Sequence, residues 1–352
     1  MSGSVAALAA LEVWPLCAAQ AAPLTAIRIV DDTSRLVRAP EVMFEAAEIG
    51  LEAFGHNIEN RHLIAALERR ATELHTLQRL AAIVTAIEPA SDGVTIRLDD
   101  GAAFKARLVV GADGRKSLCR RAAGIETRRQ EYPQAALTLN LAHARPHNGI
   151  STEFHTETGP FTLVPLPGLR SSLVCVLEPE TAAELGKRDA PALAAEIERR
   201  SHSILGKVSV EDGHGLFALA VETAESFGRD RIALIGEAAH VIPPIGAQGL
   251  NLGLRDAATI AELVTEAHRE GADAGAPELL ARYHRTRRAD VTSRRVAVDV
   301  LNRSLLSDFL PVQGARGFGL YLLDRIAPLR RAVMREGVEP AAQPRLMRGE
   351  AL

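Results

Sequence analysis

Four side chains able to do chemistry fall within one short stretch, Arg231 to Asp256: Glu237, His240, Asn251 and Asp256. Between them lie Pro243, Pro244 and the glycines Gly236, Gly246, Gly249 and Gly253. No serine–histidine–aspartate triad accompanies them. His143, His147, His155 and His214 lack metal-ligand spacing. What this pattern offers is a binding site built largely from backbone. Glycines around Asn251 let the main chain come close to a ligand, and unpaired N–H groups at a helix start favour negative charge.

The elements that must position these groups follow from the flanking residues. Ile232 to Ile235 is a continuous apolar run, as expected for a strand buried on both faces. Gly236 stops it, a turn containing Pro243, Pro244 and Gly246 follows, and Ala257 to His268 has helical spacing. Strand, glycine turn and helix start are the parts of a ligand site at the carboxyl edge of a parallel sheet. Ala106 to Ile125 repeats the scheme: an apolar run Leu108–Val110 enters Gly111-Ala-Asp113-Gly114-Arg115, and Ser117 is placed to cap a helix.

These two stretches resemble the flavin-contacting motifs of the FAD-dependent aromatic hydroxylases, most closely the ubiquinone-biosynthesis hydroxylases. The first is similar to their Gly-Asp/Glu-Ala-Ala-His, Pro-Pro, Gly-Gln-Gly-Leu-Asn pattern, with Ala247 in place of the glycine before Gln248, and the second to their Gly-Ala-Asp-Gly motif. The resemblance implies an α/β and α+β architecture. A Rossmann-like FAD-binding domain (1–20, 55–125 and 231–275) would carry an inserted antiparallel-sheet substrate domain (21–54 and 126–230) and C-terminal helices (276–352). It implies cofactor contacts from Asp113, Gly114, Gly236, Glu237, Gly249, Leu250 and Asn251, with Pro243, Pro244 and Gly246 near the flavin ring. Glu237 would accept hydrogen bonds from ribityl hydroxyls. Arg61 sits where the family places a flavin-proximal helix start; a solvated arginine reads equally well there. His240 reads as a local hydrogen-bonding residue. No metal and no catalytic side chain is implied, because the cofactor carries the hard chemistry. NAD(P)H would reduce FAD, and molecular oxygen would supply one atom to the ring of a polyprenylated phenol.

The family's strand–GxGxxG–helix unit, which binds the ADP half of FAD, has no counterpart in this sequence. Gly213-His-Gly215 lies between polar residues and a strand-like run, the wrong context. The expectation is a start roughly forty to fifty residues late, with an uncovered sheet edge and poor stability. A flavin-free scaffold of the same fold and another flavin oxidoreductase of that fold are the alternative readings. One tryptophan, Trp14, speaks against a halogenase.

Between the motifs, 5–20 reads as a helix ending near Trp14-Pro15, Ala26–Val30 and Val42–Ala46 as short strands, and Asn60 as the opening of a helix. Ala82–Ile87 and Val94–Leu98 would form a hairpin through Asp92-Gly93. Ala136–Ala142, Thr152–His155, Thr162–Pro165, Leu173–Leu177 and Phe217–Glu222 read as an antiparallel sheet interrupted by a helix at Pro191–Arg200. Phe161, Pro165 and Phe217 are candidates for its apolar face. Pro277–Asp308 reads as a basic, solvated helix that includes Arg287 and Arg294. Gly317–Arg335 carries an apolar stripe with a basic edge, suited either to a membrane surface or to packing on the flavin domain. The tail after Gly337 reads as disordered.

Composition bounds the rest. The chain's 352 residues suffice for two units with a sizeable core, and a formal net charge of −3 argues against nucleic acid as a partner. The cysteines Cys17, Cys119 and Cys175 form no CxxC. A reducing cytoplasm is the default compartment, with contact at the inner face of the membrane or with ubiquinone-pathway enzymes. Val5–Ile27 is apolar but interrupted by Glu12, Pro15 and Pro23, which suits neither a membrane span nor a signal peptide.

Overall fold

Alternation of apolar and polar residues builds the largest element. In the computed structural model, which describes residues 1–35, 38–306, 310–338 and 343–352, Thr127–His143 and Val208–Ala224 are long antiparallel strands. They lie in an eight-stranded sheet. Its order is His240–Val241, Val208–Ala224, Thr127–His143, Arg170–Leu177, Gly159–Leu166, Ile150–Thr156, Ala26–Asp31 and Val42–Glu45. All pairs are antiparallel except Ala26–Asp31 with Ile150–Thr156, where a chain segment from far upstream is laid parallel. Leu137, Leu139 and Leu141 point to one face, where Leu185, Leu193 and Ile197 of the helices Pro179–Gly186 and Ala190–Arg200 cover them. The sequence signal for the first of these helices was missed.

Ile232–Leu234 is the short strand on which the ligand motif hangs. It runs parallel to Val109–Gly111 and antiparallel to Gly228–Arg229, and its three residues are completely buried. Val109–Gly111 is one of the two outer strands of this three-stranded sheet among the described residues, and Val110 is exposed. Val84–Ala90, Gly93–Leu98 and Ala103–Ala106 form a separate antiparallel sheet, with the expected hairpin at Asp92-Gly93.

Several expectations are corrected. The N-terminal helix is Ser2–Ala10; Glu12 takes a left-handed φ of 60°, and Trp14–Cys17 is a separate turn with Pro15 at its start. The helix expected at Ala257 begins at Gln248 and runs to Arg269, despite glycines in its first turns. Gly253 brings this helix close to the chain at Gly236: a Cβ there would stand in van der Waals contact, 3.4 Å from the Gly236 Cα. The basic helix, Pro277–Leu306, is not merely solvated: Arg287 is 2% and Arg294 8% exposed. Residues 307 and 308 of that expected helix lie outside the described residues. Leu310–Arg325 and Ala327–Val338 follow. Beyond them Arg345–Arg348 is an ordered turn, whose Leu346 and Met347 pack on Ala7 and Ala258. The tail is therefore held by apolar burial, with 339–342 outside the described residues.

Gly111 marks where the parallel pair is tightest. A Cβ there would stand 2.6 Å from the Cys119 Cβ and 3.2 Å from Leu234 Cδ2. Gly111→Ala is expected to lower stability by about 1–3 kcal/mol through overpacking, as read from the midpoint of urea unfolding; an unchanged midpoint would show that this corner yields freely.

Candidate FAD site

The ligand motif is fixed from below by one buried carboxylate. Asp256, 1% exposed, accepts from the Gly236 N–H at 2.9 Å, from His240 Nε2 at 2.6 Å and from Arg287 Nε at 2.6 Å. Arg287 Nη1 and Arg255 Nη1 both donate to Asp290, each at 2.8 Å. Tyr283, on the same helix as Arg287, donates to the Leu234 carbonyl at 2.7 Å. Burial pushes the Asp256 carboxyl up, but the His240, Arg287 and Gly236 donors outweigh it and hold it below the usual carboxylate range. One ionised group thus joins the end of the buried strand, the short strand His240–Val241, and two helices.

Above this clamp the first turn of Gln248–Arg269 opens onto a cavity of about 450 Å³. Ala247 precedes it in a left-handed conformation (φ 52°, ψ 38°), and no side chain caps the helix. Gly249, Leu250 and Asn251 line the cavity, together with Pro243 and Pro244. Asn251 is fixed: its Nδ2 donates to the Ala247 carbonyl at 2.7 Å, and its Oδ1 accepts from Ser4 Oγ at 2.6 Å and from the Met1 amine at 3.1 Å. Phe217–Ala220 of the large sheet form a second wall, and Leu8, Trp14, His56 and Leu63 a third.

Glu237 stands at the rim, where its Oε1 accepts from Arg115 Nη2 at 3.0 Å. Both side chains are about half exposed (50% and 55%), so the pair is weak and can yield to a ligand. Asp113 is exposed, but its carboxylate is engaged locally. It accepts from Ser117 Oγ at 2.6 Å and from the N–H groups of Leu118 and Cys119 at 2.6 and 3.0 Å, while Ser117 caps Leu118–Ala122 as expected. Burial pushes the Asp113 carboxyl up, yet these donors leave it below the ordinary range. Of the residues singled out from the sequence, Glu237, Pro243, Pro244, Gly249, Leu250 and Asn251 meet at one cavity. Asp113, Gly114, Gly236 and Gly246 are not among its lining residues; the three glycines turn the chain at positive φ. Arg61 is exposed and pairs with Glu59 at 3.0 Å, away from the cavity wall. Arg115, Trp14 and His56 were missed as lining residues.

The residues present fit the ring end of FAD. A Cβ added at Gly249 meets nothing within 4 Å, so open space lies beside the first-turn backbone. Uncapped N–H groups there suit a ring that becomes anionic on reduction. The surrounding wall is apolar and aromatic, as a planar ring requires.

Removing Arg287 would leave the buried Asp256 and the partly buried Asp290 without their shared cation. Arg287→Ala is expected to cost about 3–5 kcal/mol, measured by denaturant unfolding. A cost below about 1 kcal/mol would mean that the cluster is not holding the motif.

Comparisons with known proteins agree with this geometry. Residues 28–296 match the family described as FAD binding domain. Ubiquinone hydroxylase UbiL of Rhodospirillum rubrum is 38% identical over 97% of this chain and 79% of its own length. The 3-demethoxyubiquinol 3-hydroxylase of Escherichia coli is 29% identical over 84% of this chain and 75% of its own length. Among solved structures, p-nitrophenol 4-monooxygenase PnpA of Pseudomonas putida superposes with a TM-score of 0.76 at 17% identity, covering 96% of this chain and 87% of that one. Its likeness speaks to the fold alone, the mixed α/β fold of FAD-dependent monooxygenases. The chain belongs to the FAD binding domain family, as a member of the FAD-dependent aromatic hydroxylases.

Proposed function

We propose that the chain hydroxylates the aromatic ring of a polyprenylated phenol in ubiquinone biosynthesis, with NAD(P)H as reductant and molecular oxygen as co-substrate. The observation that carries this reading is the cavity in which uncapped first-turn amides face an aromatic, apolar wall. The ubiquinone-pathway names of its relatives supply the substrate class.

Bound FAD supplies the electron transfer and oxygen activation that side chains cannot perform. This chain's own residues do the rest. Gly249, Leu250 and Asn251 would present N–H groups to the ring's anionic end. Pro243 and Pro244 stiffen the wall beside it. Glu237, if released from Arg115, would accept from the ribityl hydroxyls, and Arg115 would then be free for the cofactor's phosphates. Phe217, Leu219 and Val241 keep water from the reacting ring.

The test is incubation of the FAD-loaded chain with NADPH, a prenylated phenol and ¹⁸O₂, followed by mass spectrometry. A product carrying one ¹⁸O atom on the ring is expected. NADPH oxidation that yields only hydrogen peroxide, with every prenylated phenol tried, would contradict the substrate assignment.

We also propose that the enzyme meets its lipid-like substrate at the inner face of the membrane. No single helix among the described residues is long and apolar enough to cross a bilayer. Support comes instead from Phe318, Tyr321, Leu329 and Val333, which are exposed on the C-terminal helices, and Ile326, exposed between them, with Arg325 over the Tyr321 ring and Arg331 and Arg335 nearby in sequence. Such a face suits anionic lipid. Phe318→Glu with Leu329→Glu is expected to weaken co-sedimentation with anionic vesicles by about tenfold; unchanged co-sedimentation would assign these residues to protein packing.

A further inference from the structure

The polar groups around the cavity are nearly all engaged with one another. Asn251 is held by Ser4 and Ala247, Asn57 donates to the Pro165 carbonyl and to Ser172 Oγ, and Arg115 holds Glu237. His56 differs. It lies on the short strand His56–Ile58, its ring lines the cavity, and its Nδ1 is enclosed with no hydrogen-bond partner among the described residues. Packing alone fixes the ring: Trp14 meets it edge-on, with centroids 5.0 Å apart and planes at 66°. An enclosed imidazole nitrogen without a partner is costly to keep and calls for a ligand group.

We propose, resting on the ring-hydroxylation reading above, that His56 orients the substrate by accepting a hydrogen bond from its phenolic hydroxyl. Burial lowers the His56 pKa, so the ring is neutral near neutral pH and keeps one acceptor nitrogen. A half-turn about Cβ–Cγ carries Nδ1 to the place of Cδ2, and Nε2 to that of Cε1, without moving the ring plane. Phe217, exposed within the same cavity, and Pro243 offer the flat apolar surfaces between which a phenol ring lies. Accepting the hydroxyl hydrogen raises electron density on the phenol oxygen and, by conjugation, on the ortho and para carbons. Those are the carbons that receive an electrophilic oxygen atom. The hydrogen bond thus serves both register and reactivity.

The test compares binding of a prenylated phenol with binding of its methyl ether, which cannot donate a hydrogen bond. Both are titrated calorimetrically into the full, FAD-loaded chain. The wild type is expected to prefer the phenol by about tenfold, the worth of one hydrogen bond. His56→Phe should bring the ratio to about one while leaving the ether's affinity in place. His56→Asn, whose amide lies near the place of Nδ1, should retain most of the preference. A phenol preference of the same size in His56→Phe overturns the assignment, as does a wild type that binds both compounds equally. A wild type that binds neither compound overturns the ring-hydroxylation reading itself, and the role of His56 with it.

Discussion

A buried carboxylate is tolerable only when its charge is fully matched, and Asp256 meets that condition by recruiting partners from three separate segments. The Gly236 N–H fixes the end of the buried strand, His240 fixes the strand after it, and Arg287 brings in a helix from outside the motif. Because Asp256 lies in the same helix whose first turn lines the cavity, its position sets the height and direction of Gly249, Leu250 and Asn251. Gly253 against Gly236 completes the fit from the other side. The open amides are thus a consequence of the clamp beneath them.

The contrast between Asp256 and Glu237 separates structure from binding. Both are carboxylates in the same motif, paired to arginines at comparable distances. Asp256 is sealed from solvent and bound on both oxygens, so it has no capacity left for a ligand. Glu237 is half exposed, and its ion pair is worth little in water. A ligand rich in hydroxyl groups can therefore displace Arg115 from it at small cost. Asp113 is exposed like Glu237, yet its oxygens are committed to Ser117 and the Leu118 and Cys119 amides, so its role is to shape the turn.

Much of this was legible before any coordinates. The apolar run before Gly236, the prolines and the spaced glycines identify strand, turn and ligand-facing backbone from local chemistry alone. Alternation likewise revealed most strands of the large sheet. What remained hidden depends on pairings between distant residues. Arg287 sits in a helix rich in arginines, and nothing local distinguishes it from its solvated neighbours; only the tertiary partner Asp256 does. Helical spacing is evident only from Ala257, because Gly249 and Gly253 disfavour helix, yet the helix already runs from Gln248 with Gly253 against Gly236. His56 is surrounded in sequence by glycine and asparagine, and its cavity exists only once Trp14 and Phe217 arrive from elsewhere.

The central claim is that the Asp256 clamp holds the first helical turn open for FAD. The most direct measurement is an equilibrium titration of FAD into the wild-type chain and into Asp256→Asn, followed by flavin absorbance and fluorescence, with circular dichroism to confirm that both are folded. The account requires the wild type to take up FAD and the variant to bind at least about tenfold more weakly, since the amide cannot match the Arg287 and His240 donors. Equal affinity in two equally folded proteins, or no uptake by the wild type, would contradict it.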